Sequence, residues 1–154
     1  MTGRVYELTR DDCWGLLREQ ELGRLAYHLD GAVQIAPVNY ALDGQRIIFR
    51  TAEGSKLAGI LKDGEVCFEV DTLTDEAAMS VICRGHAFEL AGEEALMADQ
   101  LRLRPWVRTI KNHIVAIEVP QIDGRFFELS KPSAHLLQHC PPRPSTAAGV
   151  GRRG

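Results

Sequence analysis

The chain has 154 residues, 45% of them hydrophobic and 25% charged, which suits one globular domain able to bury a core. A net charge of −3 and a pI near 5.9 argue against a non-specific nucleic-acid binder, which carries a basic surplus. No apolar run approaches the roughly 18 residues of a membrane span, and residues 1–6 lack the apolar stretch of a secretory leader.

Thr9 with Asp12 reads as a capping box that opens a helix, with Cys13, Leu16 and Leu17 on its apolar face before Gln20. Gly23 then begins a strand over 24–29 that ends at Asp30-Gly31. A second strand, 33–42, ends at Asp43-Gly44, and a third covers 46–51. Asp-Gly between apolar runs is the strongest short hairpin signal, and here it comes twice in succession. The spacing therefore predicts an antiparallel meander and not a β-α-β unit.

Residues 56–62 predict a short helix, with Leu57, Ile60 and Leu61 on one side and Asp63-Gly64 at its end. Two β-rich runs follow, 65–73 and 79–90, and then a helical stretch over 92–103 with apolar Leu96, Met97 and Leu101. After Pro105-Trp106 the chain returns to strand over 113–119. Pro120 is expected to break that strand, and Asp123-Gly124 to precede a last one over 125–129. About six antiparallel strands with helices between them predict a mainly β fold with short helices, a closed or split barrel. Strands such as 45–51 are apolar on both faces. One face fills a barrel, and the other wants either a second copy, hence a homodimer, or the chain's own helices. Prolines and glycines dominate from Lys131 onward, so a domain over 1–129 is expected to carry a disordered C-terminal extension over 130–154.

The four cysteines, Cys13, Cys67, Cys83 and Cys140, form no C-x-x-C pair. Cys67 and Cys83 fall in strand-like runs, where buried reduced thiols are expected, and free thiols fit a cytoplasmic location. His28, His86 and His113 occur singly in such runs and read as structural. His135, His139 and Cys140 have a helical ligand spacing but no fourth ligand, so no metal site is expected. Glu53 reads as a turn residue. Arg84 lies either toward solvent or near a ligand. No catalytic residue is assigned.

The stretch with the clearest chemistry is 47–56, a buried strand that runs through Arg50 and Thr51 into a Gly54-Ser55-Lys56 turn and a helix. Backbone N–H groups at a helix start favour an anion, and Arg50 and Lys56 add full charges beside the hydroxyls of Thr51 and Ser55. A lysine in a first helical turn is electrostatically disfavoured unless an anion is present. The spacing is not that of a Walker A loop, so ATP is not the expected ligand.

In their order, Gly-Arg-Leu-Ala (23–26), Pro-Val-Asn-Tyr (37–40), Phe-Arg-Thr-Ala-Glu-Gly-Ser-Lys (49–56), Phe-Glu-Val-Asp (68–71), Ser-Val-Ile-Cys-Arg-Gly-His-Ala (80–87) and Pro-Trp (105–106) resemble the pyridoxamine 5′-phosphate oxidase-like superfamily. The resemblance covers about residues 9 to 129. It implies a six-stranded antiparallel split β-barrel, a homodimer, and one FMN in each of two clefts between subunits. By the same resemblance Arg50 and Lys56 hold the FMN phosphate with Thr51 and Ser55, and the isoalloxazine lies along Pro37, Val38, Asn39 and Tyr40. Ser80 and Val81 approach its edge, and Trp106 closes the cleft from the other subunit. The implied activity is electron transfer from a reduced nicotinamide to a small organic acceptor. A flavin carrier or sensor without turnover is the alternative, as are relatives of the barrel that bind a deazaflavin or haem. Haem needs an axial ligand, with His113 or His28 as candidates, and a deazaflavin's longer acidic tail calls for further cations. The basic and His motif that binds substrate phosphate in true pyridoxamine phosphate oxidases is missing after Phe127, so vitamin B6 oxidation is not expected.

Overall fold

The computed structural model describes residues 3–101, 103 and 112–130. Strand β1 (Val5–Glu7) leads into helix α1 (Arg10–Glu19). The expected capping box closes there: the Asp12 N–H donates to the Thr9 hydroxyl at 3.2 Å, and the Thr9 N–H donates to the Asp12 carboxylate at 3.1 Å. Hydrogen bonds from the Thr9 side chain and then its backbone hold the Asp12 carboxyl below its ordinary range. Cys13, Trp14, Leu16 and Leu17 turn inward.

Strands β2 (Leu22–Leu29) and β3 (Ala32–Asn39) are joined by Asp30-Gly31, with φ of 51° and 80°. Both values are positive, as the two-residue turn that follows the sheet's twist requires. Strands β4 (Ala41–Asp43) and β5 (Arg46–Thr51) follow, then α2 (Ser55–Lys62), β6 (Glu65–Leu73), β7 (Ala77–Glu89), α3 (Gly92–Asp99) and β8 (His113–Glu128). The sheet runs β3-β2-β6-β7-β8-β5-β4, antiparallel throughout, with β1 added beside β8. Its two ends, β3 and β4, are separated in sequence by Tyr40 alone. Both edges therefore meet at Tyr40, and the sheet curls into a half-barrel.

Side chains that alternate inward from five strands fill the curl: Leu25, Phe49, Phe68, Val81 and Val115 are fully buried. On the outside, Ile48, Ile114 and Ala116 pack against Leu90 and Ala98 of the α3 region. The second apolar face of β5 is thus covered by the chain's own helix.

The described residues hold eight strands where six were expected. The six correspond to β2, β3, β5, β6, β7 and β8, each at least six residues long, and β1 and β4 are three-residue additions too short to show a period. The expected 33–42 strand divides at Tyr40, whose ring turns inward and whose hydroxyl donates to the Leu17 carbonyl at 2.6 Å. The 92–103 helix ends at Asp99.

The largest correction concerns β8, which runs unbroken through Pro120 and Asp123-Gly124. Pro120 lies just beyond the last residue paired with β5, and it faces the bulge in β7 between Arg84 and His86. No ladder hydrogen bond is demanded of it there. Gly124 makes no turn: a Cβ on it would lie 2.6 Å from Cys13 Sγ and 2.9 Å from Leu8 Cδ1. The glycine is needed so that α1 can approach the sheet. Gly124→Ala is expected to lower stability by about 1–3 kcal/mol through overpacking, read as a shifted urea midpoint with an unchanged slope.

Cys13 and Cys83 are buried, whereas Cys67, expected inside, is exposed. The period-2 alternation of β6 puts Val66 and Phe68 in the core and Cys67 between them on the outer face. Burial pushes the Cys83 thiol up to about 12. The unfolded chain therefore releases that proton first, and stability falls as pH rises above about 9, by up to about 1.4 kcal/mol per pH unit. In a Cys140→Ser background, Cys67 is expected to react at once with a disulfide reagent, and Cys13 and Cys83 only on unfolding. Rapid reaction of all three thiols would contradict this.

Candidate functional site

The end of β5 and the start of α2 carry Arg50, Thr51, Ser55 and Lys56. Arg50 points to the outer face of the sheet and Thr51, the next residue, is buried. The Arg50 guanidinium is ion-paired with the Asp99 carboxylate at the end of α3 and donates to the Asp99 carbonyl at 3.1 Å. Thr51 donates its hydroxyl to the Ala52 carbonyl at 3.2 Å. Gly54 then starts α2 with φ of 154° and without a side-chain cap, in a backbone region that side chains rarely adopt. Ser55 is exposed on the first turn and Lys56 half-buried beside it. The first N–H groups of α2, whose positive end favours negative charge, are therefore not taken up by a side chain at Gly54.

The stretch Pro37 to Tyr40 leads toward the same strand. Ala41 pairs with Ile48 of β5, and β3 comes close to β5. Pro37 is exposed on the edge strand β3, where its missing N–H costs nothing. Val38 and Tyr40 are buried, and Asn39 is half-buried. Burial raises the Tyr40 phenol well above its ordinary value, so it stays neutral and serves as a donor.

Ser80 and Val81 do not join this group within one chain. They lie on β7, three strands from β3 in the sheet order, or roughly 14 Å at the usual strand spacing. Val81 points into the core, and Ser80 lines a hollow of about 420 Å³ with Arg84, Asp123 and Arg125. Arg84 faces outward there, held to Asp123 at 2.8 Å. Trp106, His135, His139 and Cys140 lie outside the described residues.

Two features of the site were invisible as motifs. Asp99, forty-nine residues from Arg50 in sequence, supplies the anion on its guanidinium. His113, across from Thr51 in register, has its Nδ1 2.5 Å from Glu89 Oε1 and its Nε2 3.7 Å from Glu53 Oε1. Only strand pairing brings these residues together. His28, the other haem-ligand candidate, lines a separate hollow of about 540 Å³ with Cys67, Arg84 and His86. No group of three or more His, Cys, Asp or Glu among the described residues is placed to hold a metal ion. No helix among them is long and apolar enough to cross a membrane.

A family model described as pyridoxamine 5′-phosphate oxidase matches residues 9–126. A Corynebacterium glutamicum protein assigned to the same oxidase has a crystal structure that is 35% identical, with a TM-score of 0.75, covering 82% of this chain and 100% of that one. The FAD binding protein from Mycobacterium smegmatis is 34% identical with a TM-score of 0.70, covering 80% of this chain and 98% of its own. An uncharacterized protein of Mycobacterium tuberculosis is 30% identical over 127 residues, 78% of this chain and 84% of the relative. The chain belongs to the pyridoxamine 5′-phosphate oxidase-like family, with the flavin-binding split barrel as its fold.

Proposed function

We propose that this chain is a flavin-dependent oxidoreductase that holds FMN by its phosphate at the junction of β5 and α2. The observation that carries this reading is the junction itself, with Arg50, Lys56, Ser55 and a helix start without a side-chain cap. The donor set fits the group. A phosphate monoester brings about 1.5 to 2 negative charges and three acceptor oxygens, and an internal carboxylate, Asp99, already sits on Arg50 as an anion would. Arg50 and Lys56 bind the phosphate, and Thr51 and Ser55 add hydroxyls to it. Pro37 to Tyr40 orient the ring from one side. The bound flavin supplies the electron transfer.

The 34% identity to an FAD binding protein supports FAD as a second reading. FAD contains the same riboflavin phosphate, so the same seat serves both. The separation of Ser80 from the 37–40 stretch within one chain supports a homodimer in which each seat is completed by the outer face of the partner's barrel. Val33 and Ile35 on the edge strand, 70% and 69% exposed, offer that face an apolar border. The acceptor is proposed as a small flat organic molecule such as a quinone or nitroaromatic, with a reduced nicotinamide as donor.

The test is light scattering with FMN stoichiometry, followed by NADH and NADPH oxidation with a quinone as acceptor. Two FMN per dimer with acceptor-dependent turnover is the expected result. Bound flavin with no turnover from either nicotinamide would favour a carrier or sensor. A monomer that binds flavin fully would remove the shared cleft.

A further inference from the structure

Helix α3 lies on the outer face of β5, and an arginine of β5 forms an ion pair at each end of that contact. The pleat of β5 sends Arg46, Ile48 and Arg50 to this one face. Arg46 meets Glu94 in the first turn of α3 at 3.2 Å, and Arg50 meets Asp99, its last residue. Between the two pairs, Ile48 packs with Leu90 and Ala98. The helix has little else to hold it. Ala98 is its one buried residue, and Leu96 and Met97 are exposed. A two-turn helix with so little burial belongs to the low end of local stability.

The two arginines differ in what surrounds them. Arg46 is matched twice, by Glu94 and by Asp43 at 2.6 Å. Arg50 turns Nη2 to Asp99 twice over, to the carboxylate and to the backbone carbonyl at 3.1 Å. Asp99 also stands at the C-terminal end of α3, where the helix dipole disfavours a negative charge. Arg50 is what offsets that charge. We propose that Asp99 is an internal competitor for the cofactor phosphate, and that the phosphate frees the end of α3 when it takes Arg50. This rests on the phosphate seat proposed above.

A carboxylate and a phosphate on one guanidinium repel each other. The carboxylate brings one charge. The phosphate brings about 1.5 to 2 and also meets the N–H groups at the start of α2, so it prevails. Asp99 then loses its cation while the helix dipole still opposes its charge, and the last turn of α3 loosens. The Arg46–Glu94 pair and the packing of Ala98 remain to hold the rest of the helix. Because closure on Asp99 and binding of phosphate exclude each other, each weakens the other by the same factor.

The experiment compares FMN and riboflavin binding by the full chain and by Asp99→Asn, and follows wild-type hydrogen exchange over residues 96–101 with and without FMN. Asp99→Asn is expected to bind FMN about three- to fivefold more tightly, the worth of a half-exposed ion pair, and to bind riboflavin as the wild type does. The Gln100 and Leu101 N–H groups donate to the Met97 and Ala98 carbonyls at 3.2 and 3.0 Å. They are expected to exchange faster once FMN is bound. Weaker FMN binding in Asp99→Asn would mean that Asp99 aims Arg50 at the phosphate, and unchanged binding that it does not compete. Unchanged or slower exchange with FMN would mean that α3 is not released. Each of these results overturns the proposal. If the wild type prefers FMN to riboflavin, and only Arg50→Ala/Lys56→Ala changes that preference, the seat stands and the competition does not. If FMN and riboflavin bind the wild-type chain alike, the seat itself is wrong and the competition falls with it.

Discussion

Replacing Arg50 and Lys56 together with alanine is expected to weaken FMN binding by at least about a hundredfold while leaving the barrel folded. The two side chains carry the formal positive charge of the seat, and each charge-assisted bond to phosphate is worth about 1.5–3 kcal/mol. The fold depends little on the arginine. Its ion pair with Asp99 is partly exposed, at 33% and 57% for the two side chains, and such pairs contribute about 0–1 kcal/mol. Phe49 and Thr51, its buried neighbours on β5, are unchanged in the variant. Flavin fluorescence titration reads the affinity, and circular dichroism melting reads the fold. Affinity within a few-fold of wild type in a folded double variant would remove the phosphate from this end of the barrel.

Phe68→Ala is expected to cost about 3–5 kcal/mol of stability, the usual range for emptying a fully buried aromatic position. Phe68 is 0% exposed at the centre of the inner cluster. Its ring lies directly under Gly23, where a Cβ would come within 2.2 Å of Cζ, and it meets Tyr40 edge-on at 5.0 Å between centroids. Tyr40 is the residue at which the two sheet edges join, and its hydroxyl reaches Leu17 of α1. The cavity therefore loosens the junction of β3 and β4 at Tyr40, and weaker FMN binding should accompany the lost stability. Urea unfolding measures the first effect. A loss below about 1 kcal/mol would mean that the ring is not the keystone of the interior.

The regular parts of this fold were legible because their signals are local. The Thr9–Asp12 capping box, the Asp30-Gly31 turn and the 46–51 and 65–73 strands stand where the residues place them. Misreadings arose where a distant neighbour reverses a local rule. Pro120 and Gly124 look like punctuation until a bulge in β7 and the approach of α1 give them other reasons to be there. Cys67 looks buried by its apolar surroundings, but the pleat sends it outward between two core residues. The cationic stretch 50–56 was readable for the same reason as the turns, since its residues are contiguous. The anions around it were not. Asp99 and the Glu89–His113 pair reach it only through the order of strands in the sheet.

The most direct measurement of the central claim is a comparison of FMN with riboflavin, which differ only by the phosphate, bound to the same purified chain after any resident ligand is removed. Tighter binding of FMN by at least about a hundredfold, lost in Arg50→Ala/Lys56→Ala, is the expected result. Equal affinity for the two flavins, or a preference that survives the double substitution, would contradict it.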